Sequence, residues 1–323
     1  MKKTTKRWLL FAAALMLVGA AVYGGMMTML QWDFSKLSTV KYETNEHSVA
    51  EAVQNVSIKT KTADILLVPS EDENVTVVCY EQKQVTHTVT VEDGTLVIEV
   101  VDTRKWYEYL SFSFRAPKIT VYLPQGEYGD LKIQTSTADV EIAKEFQFAS
   151  MDISESTGDV TCYASVVGPV TMKTSTGSIC LRDLSAGSVN LSVTTGAVRV
   201  SNVVCEGDLK INVTTGDTDV TNVSCRNLTS TGKTGDLSLK RVVAAGAFSI
   251  QSSTGDVCFD GADAAEIFVT TSTGDVTGTL GSEKVFLTQT DTGSISVPKT
   301  SGGGKCEITT DTGDIELRIV PIA

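Results

Sequence analysis

The chain has 323 residues and a formal charge of −12, from 27 Lys and Arg against 39 Asp and Glu. Four of the basic residues (Lys2, Lys3, Lys6 and Arg7) precede every acidic one, so the rest is more acidic still, which excludes a nucleic-acid binder. Only two histidines occur, His47 and His87, neither with a partner at metal-ligand spacing, while abundant Gly, Thr, Ser and Val with six Pro point to strands and tight turns.

Residues 1–7 form a basic tail. Trp8 to Leu30 then run without a charge, longer than the roughly 20 residues a helix needs to cross a bilayer's hydrocarbon core. The flanking cations hold the tail in the cytoplasm and send the remainder outward. A cleaved signal peptide is the alternative, with Val18-Gly19-Ala20 as the cleavage region, but Val22 to Leu30 extends the apolar run past it and favours a retained anchor. Residues 31–54 read as a stalk between membrane and domain.

Residues 55–130 combine a first repeat unit, marked by Thr62-Ala63-Asp64, with an insertion. Val75–Tyr80, Val85–Glu92, Thr95–Val101 and Lys118–Leu123 alternate apolar and polar, and Asp93-Gly94 is a two-residue hairpin turn. The hairpin is expected to cover one end of the repeat array, and the aromatic run Trp106, Tyr107, Tyr109, Phe112 and Phe114 to pack as an end-cap core. An exposed glycan- or membrane-binding surface is the other reading of that run.

From 131 to 323 one phrase recurs: an apolar strand, Thr-Gly-Asp, and a second apolar strand. The small corner residue is Ala138, Gly158, Gly177, Gly196, Gly216, Gly235, Gly255, Gly274, Gly293 and Gly313, at spacings of 19 or 20 residues. Seven positions before the corner every copy is apolar, from Leu131 to Cys306; four positions after it nine of the ten are apolar, Gly278 being the exception. Such alternation is the period-2 mark of strands with one buried face, and a period near 20 marks a solenoid. A leucine-rich repeat is excluded because its Leu-x-x-Leu-x-Leu run is missing. The chain therefore reads as an all-β, single-domain parallel β-solenoid of about ten 19–20-residue rungs, with an inserted β-hairpin cap and an N-terminal transmembrane helix. The Thr before each corner is expected to hydrogen-bond from rung to rung through its hydroxyl. The far end closes only with Leu317–Ala323, which predicts a weak cap or one supplied by a partner.

The order of these features resembles the bacterial putative-adhesin family of β-strand-repeat proteins, which includes LiaG-like membrane proteins of the cell envelope. The resemblance covers residues 55–323 and is carried by Thr62-Ala63-Asp64, Ile119–Pro124 and the Ser-Thr-Gly-Asp series. It implies an extracytoplasmic β-helix-like domain of unknown function, often associated with envelope stress, and brings no catalytic residues with it.

No phosphate-binding loop, nucleophile elbow or zinc signature is present, and the expectation is a protein without enzymatic activity. The residue after the corner is Asp in seven of ten copies. Stacked about 5 Å apart, carboxylates repel by roughly 1 kcal/mol per pair in water, which a Ca²⁺ ion would relieve. Asp217, Asp236, Asp256 and Asp275 are the candidate ligands; the structural alternative has each Asp accept hydrogen bonds from its own turn. No other cofactor is expected. Of seven cysteines, Cys162 and Cys306 fall on core positions, while Cys205 and Cys225 occupy equivalent places in adjacent rungs and form a candidate disulfide. The expected role is a membrane-anchored extracytoplasmic scaffold or adhesin with a protein or cell-surface glycan partner; an accessory part in envelope-stress signalling is implied by the family resemblance alone. A carbohydrate-active β-helix enzyme needs carboxylates converging in a groove, and a self-assembling filament needs two open rod ends. Both stand as alternatives.

Overall fold

The computed structural model describes residues 3–33, 40–106 and 116–321. One long helix, α1 (Lys3–Met29), precedes a single 24-stranded all-β body. Leucine, alanine and methionine are strong helix formers, and their side chains on α1 are largely exposed.

The β-body is the expected solenoid. Each rung's strands pair in parallel with the rungs before and after, for example Val189–Val193 with Leu209–Val213, which in turn pair with Leu228–Gly232. Of the ten positions seven residues before a corner, nine are core: Leu131, Met151, Val170, Val189, Leu209, Leu228, Phe248, Ile267 and Cys306 are all 2 % exposed or less, whereas Phe286 on the outermost strand is only partly buried. Burying each such side chain contributes about 1.5–3 kcal/mol, and no rung achieves it without its neighbours.

The corner explains its glycines twice over. Gly235 sits at φ 131°, and a Cβ there would meet the carbonyl oxygen of Gly216 at 2.0 Å. Only a residue without a side chain fits both restraints. The rungs are joined here through the backbone, the Gly235 N–H donating to the Thr254 carbonyl at 3.0 Å. The expected ladder of Thr hydroxyls does not form among the described residues, because this Thr faces solvent and its carbonyl makes the rung-to-rung bond. Six residues after each central corner lies a second one, at left-handed φ: Asp183 (55°), Asn202 (54°), Asn222 (55°), Arg241 (48°) and Gly261 (62°). Asn and Asp tolerate this conformation, and here they form their own ladder: the Asn222 amide donates to Asn202 at 2.8 Å and the Asn202 amide to Asp183 at 2.7 Å.

Both ends depart from the sequence reading. The segment 55–130 contains β2 (Asn55–Lys59) and β3 (Asp64–Pro69), then β4 (Val75–Gln82), β5 (Val85–Glu92), β6 (Thr95–Asp102) and β7 (Lys118–Leu123). The β5–β6 hairpin turns at Asp93-Gly94 as expected, with both residues at positive φ. However, β6 pairs in parallel with β2, and β7 with β3, so the insertion supplies a rung of its own outside the first one. Beyond it the pairing turns antiparallel, β5 against β6 and β4 against β7. The stalk expectation for 31–54 is corrected as well: β1 (Tyr42–Val49) pairs antiparallel with β4 over its whole length. Alternate side chains of β1 point inward, which a solvated stalk would not need.

The far end is rearranged in the same way. The last strands in sequence, Gly304–Thr312 and Ile315–Ile319, stack directly on the rung of Gly274, and the earlier strand Lys284–Thr292 lies outside them. The C-terminal rung is therefore interior, and the outermost edge is the strand Lys284–Thr292, where Leu287 is 52 % exposed. Trp106 is 80 % exposed, so it does not join an end-cap core; Tyr107, Tyr109, Phe112 and Phe114 lie outside the described residues.

Candidate functional site

The post-corner Asp residues stack into two files. In the first, Asp64 Oδ1 accepts the N–H of Asp139 (3.0 Å), Asp139 that of Asp159 (2.9 Å), and Asp159 that of Ser178 (2.7 Å). Ser178 and Ala197 interrupt the series. It resumes with Asp217 accepting from Asp236 (3.0 Å), Asp236 from Asp256 (2.9 Å), Asp256 from Asp275 (2.8 Å) and Asp275 from Asp314 (2.7 Å). Each carboxylate thus bonds the neighbouring rung's turn rather than its own. The four candidate cation ligands Asp217, Asp236, Asp256 and Asp275 are brought into one row, with Oδ1 committed to these bonds. At the row's end Asp314 is held below the usual carboxylate range by the Ser294 N–H and hydroxyl.

Cys205 and Cys225 stand one rung apart on the buried face, and both are free thiols. Burial pushes Cys225 up to about 12, with the nearby Cys205 adding to it. Counting thiols on denatured, unreduced protein tests the disulfide expectation: five with the bridge, seven without.

The densest buried polar cluster lies elsewhere, between the cap and the first rung. On β4 the inward positions run Val75, Val77, Cys79 and Glu81; on β5 they begin Val85 and His87. Glu81 and His87 meet there, with Glu81 Oε2 2.7 Å from His87 Nδ1. The other imidazole nitrogen, Nε2, is 2.8 Å from Thr60 Oγ1, at the end of β2. Asn45 on β1 donates its amide to Glu81 Oε1 at 2.7 Å. Thr60, Glu81 and His87 are all 5 % exposed or less. An ionised Glu81 accepting from His87 Nδ1–H leaves Nε2 as acceptor for the Thr60 hydroxyl, a fully paired network across four strands. Cys79, fully buried beside it, is pushed up to about 12 by burial, with the Glu81 charge adding to the rise.

Thr60 and His87 form part of the wall of a cavity of about 310 Å³, which Tyr42, Lys61, Gln82 and Arg104 also line. On its rim Arg104 grips Asp102 in bidentate fashion (2.9 and 2.7 Å), holding that carboxyl well below the usual range, and Lys61 adds a third contact at 3.1 Å. Sequence spacing hid this cluster, since its members come from residues 45, 60, 79, 81 and 87 on four strands. The legible trace was a Glu and a His at inward positions of otherwise apolar series.

A third buried polar group is Glu155, three residues before its corner. It is 5 % exposed and neither carboxylate oxygen has a hydrogen-bond partner. Burial raises it to about 7, with the charges of Asp139 and Asp159 adding to the rise.

No curated protein matches the chain significantly. Among solved structures it is similar to a putative lipid binding protein from Parabacteroides distasonis at 15 % identity, covering 87 % of this chain and 98 % of that one, with TM-score 0.49. It is also similar to putative adhesins from Parabacteroides merdae (11 % identity, 87 % and 98 % covered, TM-score 0.46) and Bacteroides fragilis (12 %, 87 % and 97 %, TM-score 0.43). The profile of the Toastrack DUF4097 family matches residues 53–212 and again 206–321, which together span the whole rung array, and the chain belongs to that family.

Proposed function

We propose that the protein is a membrane-anchored extracytoplasmic scaffold that presents its acidic solenoid to a protein or cell-surface glycan partner. The observation that carries this reading is α1. It is the one helix among the described residues long and apolar enough to cross a membrane, from Thr5 to Met29, and none of its most apolar stretch is buried against the β-body. At 1.5 Å per residue its 27 residues extend about 40 Å, enough to pass the hydrocarbon core. Lys6 and Arg7 at its start favour a cytoplasmic N-terminus. The solenoid offers repetition of one surface rather than a groove of converging acids, which suits multivalent contact better than glycan cleavage. Association with envelope-stress signalling rests on the family resemblance.

Alkaline carbonate extraction and external protease treatment of intact cells test the topology. The expected result is a full-length protein that stays in the membrane pellet and loses its β-body to protease. Release into the supernatant as a shortened chain overturns the anchor. Cross-linking in the native membrane then tests the role: a membrane kinase, transporter or stress sensor supports signalling, and wall or host-surface glycan supports adhesion.

A further inference from the structure

We propose that Cys79, Glu81 and His87 form a binding site for a borderline divalent cation of the Zn²⁺ class. One ligand atom from each residue lies within 4.8 Å of the other two, the single such group of three among the described residues. Tetrahedral Zn²⁺ bonds of about 2.0–2.3 Å place ligand atoms roughly 3.3–3.7 Å apart, so small side-chain rotations close the set around an ion. The donors are one sulfur, one imidazole nitrogen and one carboxylate oxygen. That mixture selects Zn²⁺ or a neighbouring first-row ion over Ca²⁺ or Mg²⁺, which take oxygen alone.

The surroundings are those of a metal centre. Glu81 is held from behind by the Asn45 amide, and His87 meets the Thr60 hydroxyl through the nitrogen facing away from Glu81. Outer contacts of this kind orient metal ligands. The cavity reaches His87 together with Thr60, while Cys79 and Glu81 lie outside its wall. His47 lies two register positions from the Asn45–Cys79 pair, opposite Val77, and its Nε2 is buried with no hydrogen-bond partner.

Protons balance as follows. The ion replaces the proton of the Cys79 thiol, which leaves to solvent. The proton on His87 Nδ1 moves to Nε2, where it is donated to Thr60 Oγ1, and Glu81 exchanges its bond to His87 for one to the ion. One proton is released per ion bound, so binding strengthens as pH rises.

The test uses full-length protein in detergent, stripped with chelator and reloaded with Co²⁺ as the probe. The expected result is about one equivalent per chain with an intense near-ultraviolet thiolate-to-cobalt band, displaced by Zn²⁺. Cys79→Ser should abolish the band, and His87→Gln should weaken binding at least about tenfold. Saturable binding without that band places the cation on oxygen ligands such as the Asp row and overturns the proposal, as does no stoichiometric binding. Should Cys79→Ser fail to fold, the wild-type spectrum still decides whether sulfur ligates. Alkylation mapped by mass spectrometry, with Zn²⁺ protecting Cys79 rather than the other six cysteines, then identifies which.

Discussion

Asp275 Oδ1 accepts the backbone N–H of Asp314 at 2.7 Å, across a sequence separation of 39 residues where every other link in that carboxylate file up to Asp275 spans 19 or 20. The doubled interval records the exchange of the last two rungs. In space, Gly304–Thr312 and Ile315–Ile319 lie between the rung of Gly274 and the earlier strand Lys284–Thr292. The near end repeats the device, with β2 and β3 between the rung of β6 and β7 and the rest of the array. At each end the rung of β2 and β3, or of residues 304–319, has a neighbour on both sides instead of one, which suppresses local opening.

Removing residues 301–323 should therefore do more harm than removing a whole central repeat. The truncation strips Val276, Ile267 and Val269 of their cover and unseats Lys284–Thr292, costing several kcal/mol at about 25 cal/mol per Å² of newly exposed apolar surface. Deleting residues 217–235 instead rejoins Gly216 to Asp236 in register and leaves every rung with its neighbours. Thermal melts followed by circular dichroism should show a sharp transition for the internal deletion and a broad, lowered one for the truncation. An unchanged melt after truncation would contradict the exchanged order.

Gly235→Ala is expected to destabilise by upward of about 2 kcal/mol, through the φ of 131° and the 2.0 Å approach to a backbone oxygen that cannot move aside. Ala138→Gly, at the equivalent corner where Ala is native, should cost no more than about 1 kcal/mol. Urea titration of both variants separates a corner-specific clash from a general loss of glycine or alanine.

The second corner makes the opposite kind of prediction. Arg241 holds a left-handed φ of 48° without the short polar side chain that its predecessors Asn202 and Asn222 use there. Arg241→Asn should extend the amide ladder by one rung and stabilise by about 0.5–1 kcal/mol. A melting temperature at or below wild type would refute it.

In the carboxylate file, Asp236→Asn keeps an oxygen for the Asp256 N–H and removes one repelling charge, so stability at low salt should hold or rise. Asp236→Ala removes the acceptor and should cost about 1 kcal/mol. Repeating the melts with millimolar Ca²⁺ tests the cation reading of the same row: a wild-type rise that disappears in Asp236→Asn supports it, and no rise removes it.

What the sequence made legible was whatever repeats. Leu209 and Leu228 are fully buried because inward positions recur at a fixed offset from each Gly, and that offset can be read by eye. The order of rungs in space could not be read, because the rungs of Gly274, Gly293 and Gly313 carry the same pattern and any of them can stack on any other. What separates them lies outside the pattern: the buried Lys284 ammonium finds Asp263 at 2.7 Å. The cap cluster was illegible for a related reason. Thr60 and His87 are 27 residues apart, and only the antiparallel return of β4 and β5 over β2 brings them to 2.8 Å. A scarcity of histidine argued against histidine chemistry, yet burial gives one His more weight than several on the surface.

Glu155 supplies the pH dependence. Its carboxyl is raised in the folded state from 4.5 to about 7, so between those values the native chain holds a proton that the unfolded chain has released. Stability from this group is complete below about pH 4.5 and is lost as pH rises through 7, by about 2–3 kcal/mol in all. The physical reason is its place in the rung. Thr174, at the same position one rung on, directs its hydroxyl toward the Gly158 carbonyl, whereas an ionised carboxylate has no proton to give and here finds no donor. Glu155→Gln has the same shape, carries donors and does not ionise. It should melt above wild type at pH 8, match it near pH 5, and flatten the profile between. A variant whose melting temperature tracks wild type across that whole range would show that the carboxyl finds a partner when it ionises.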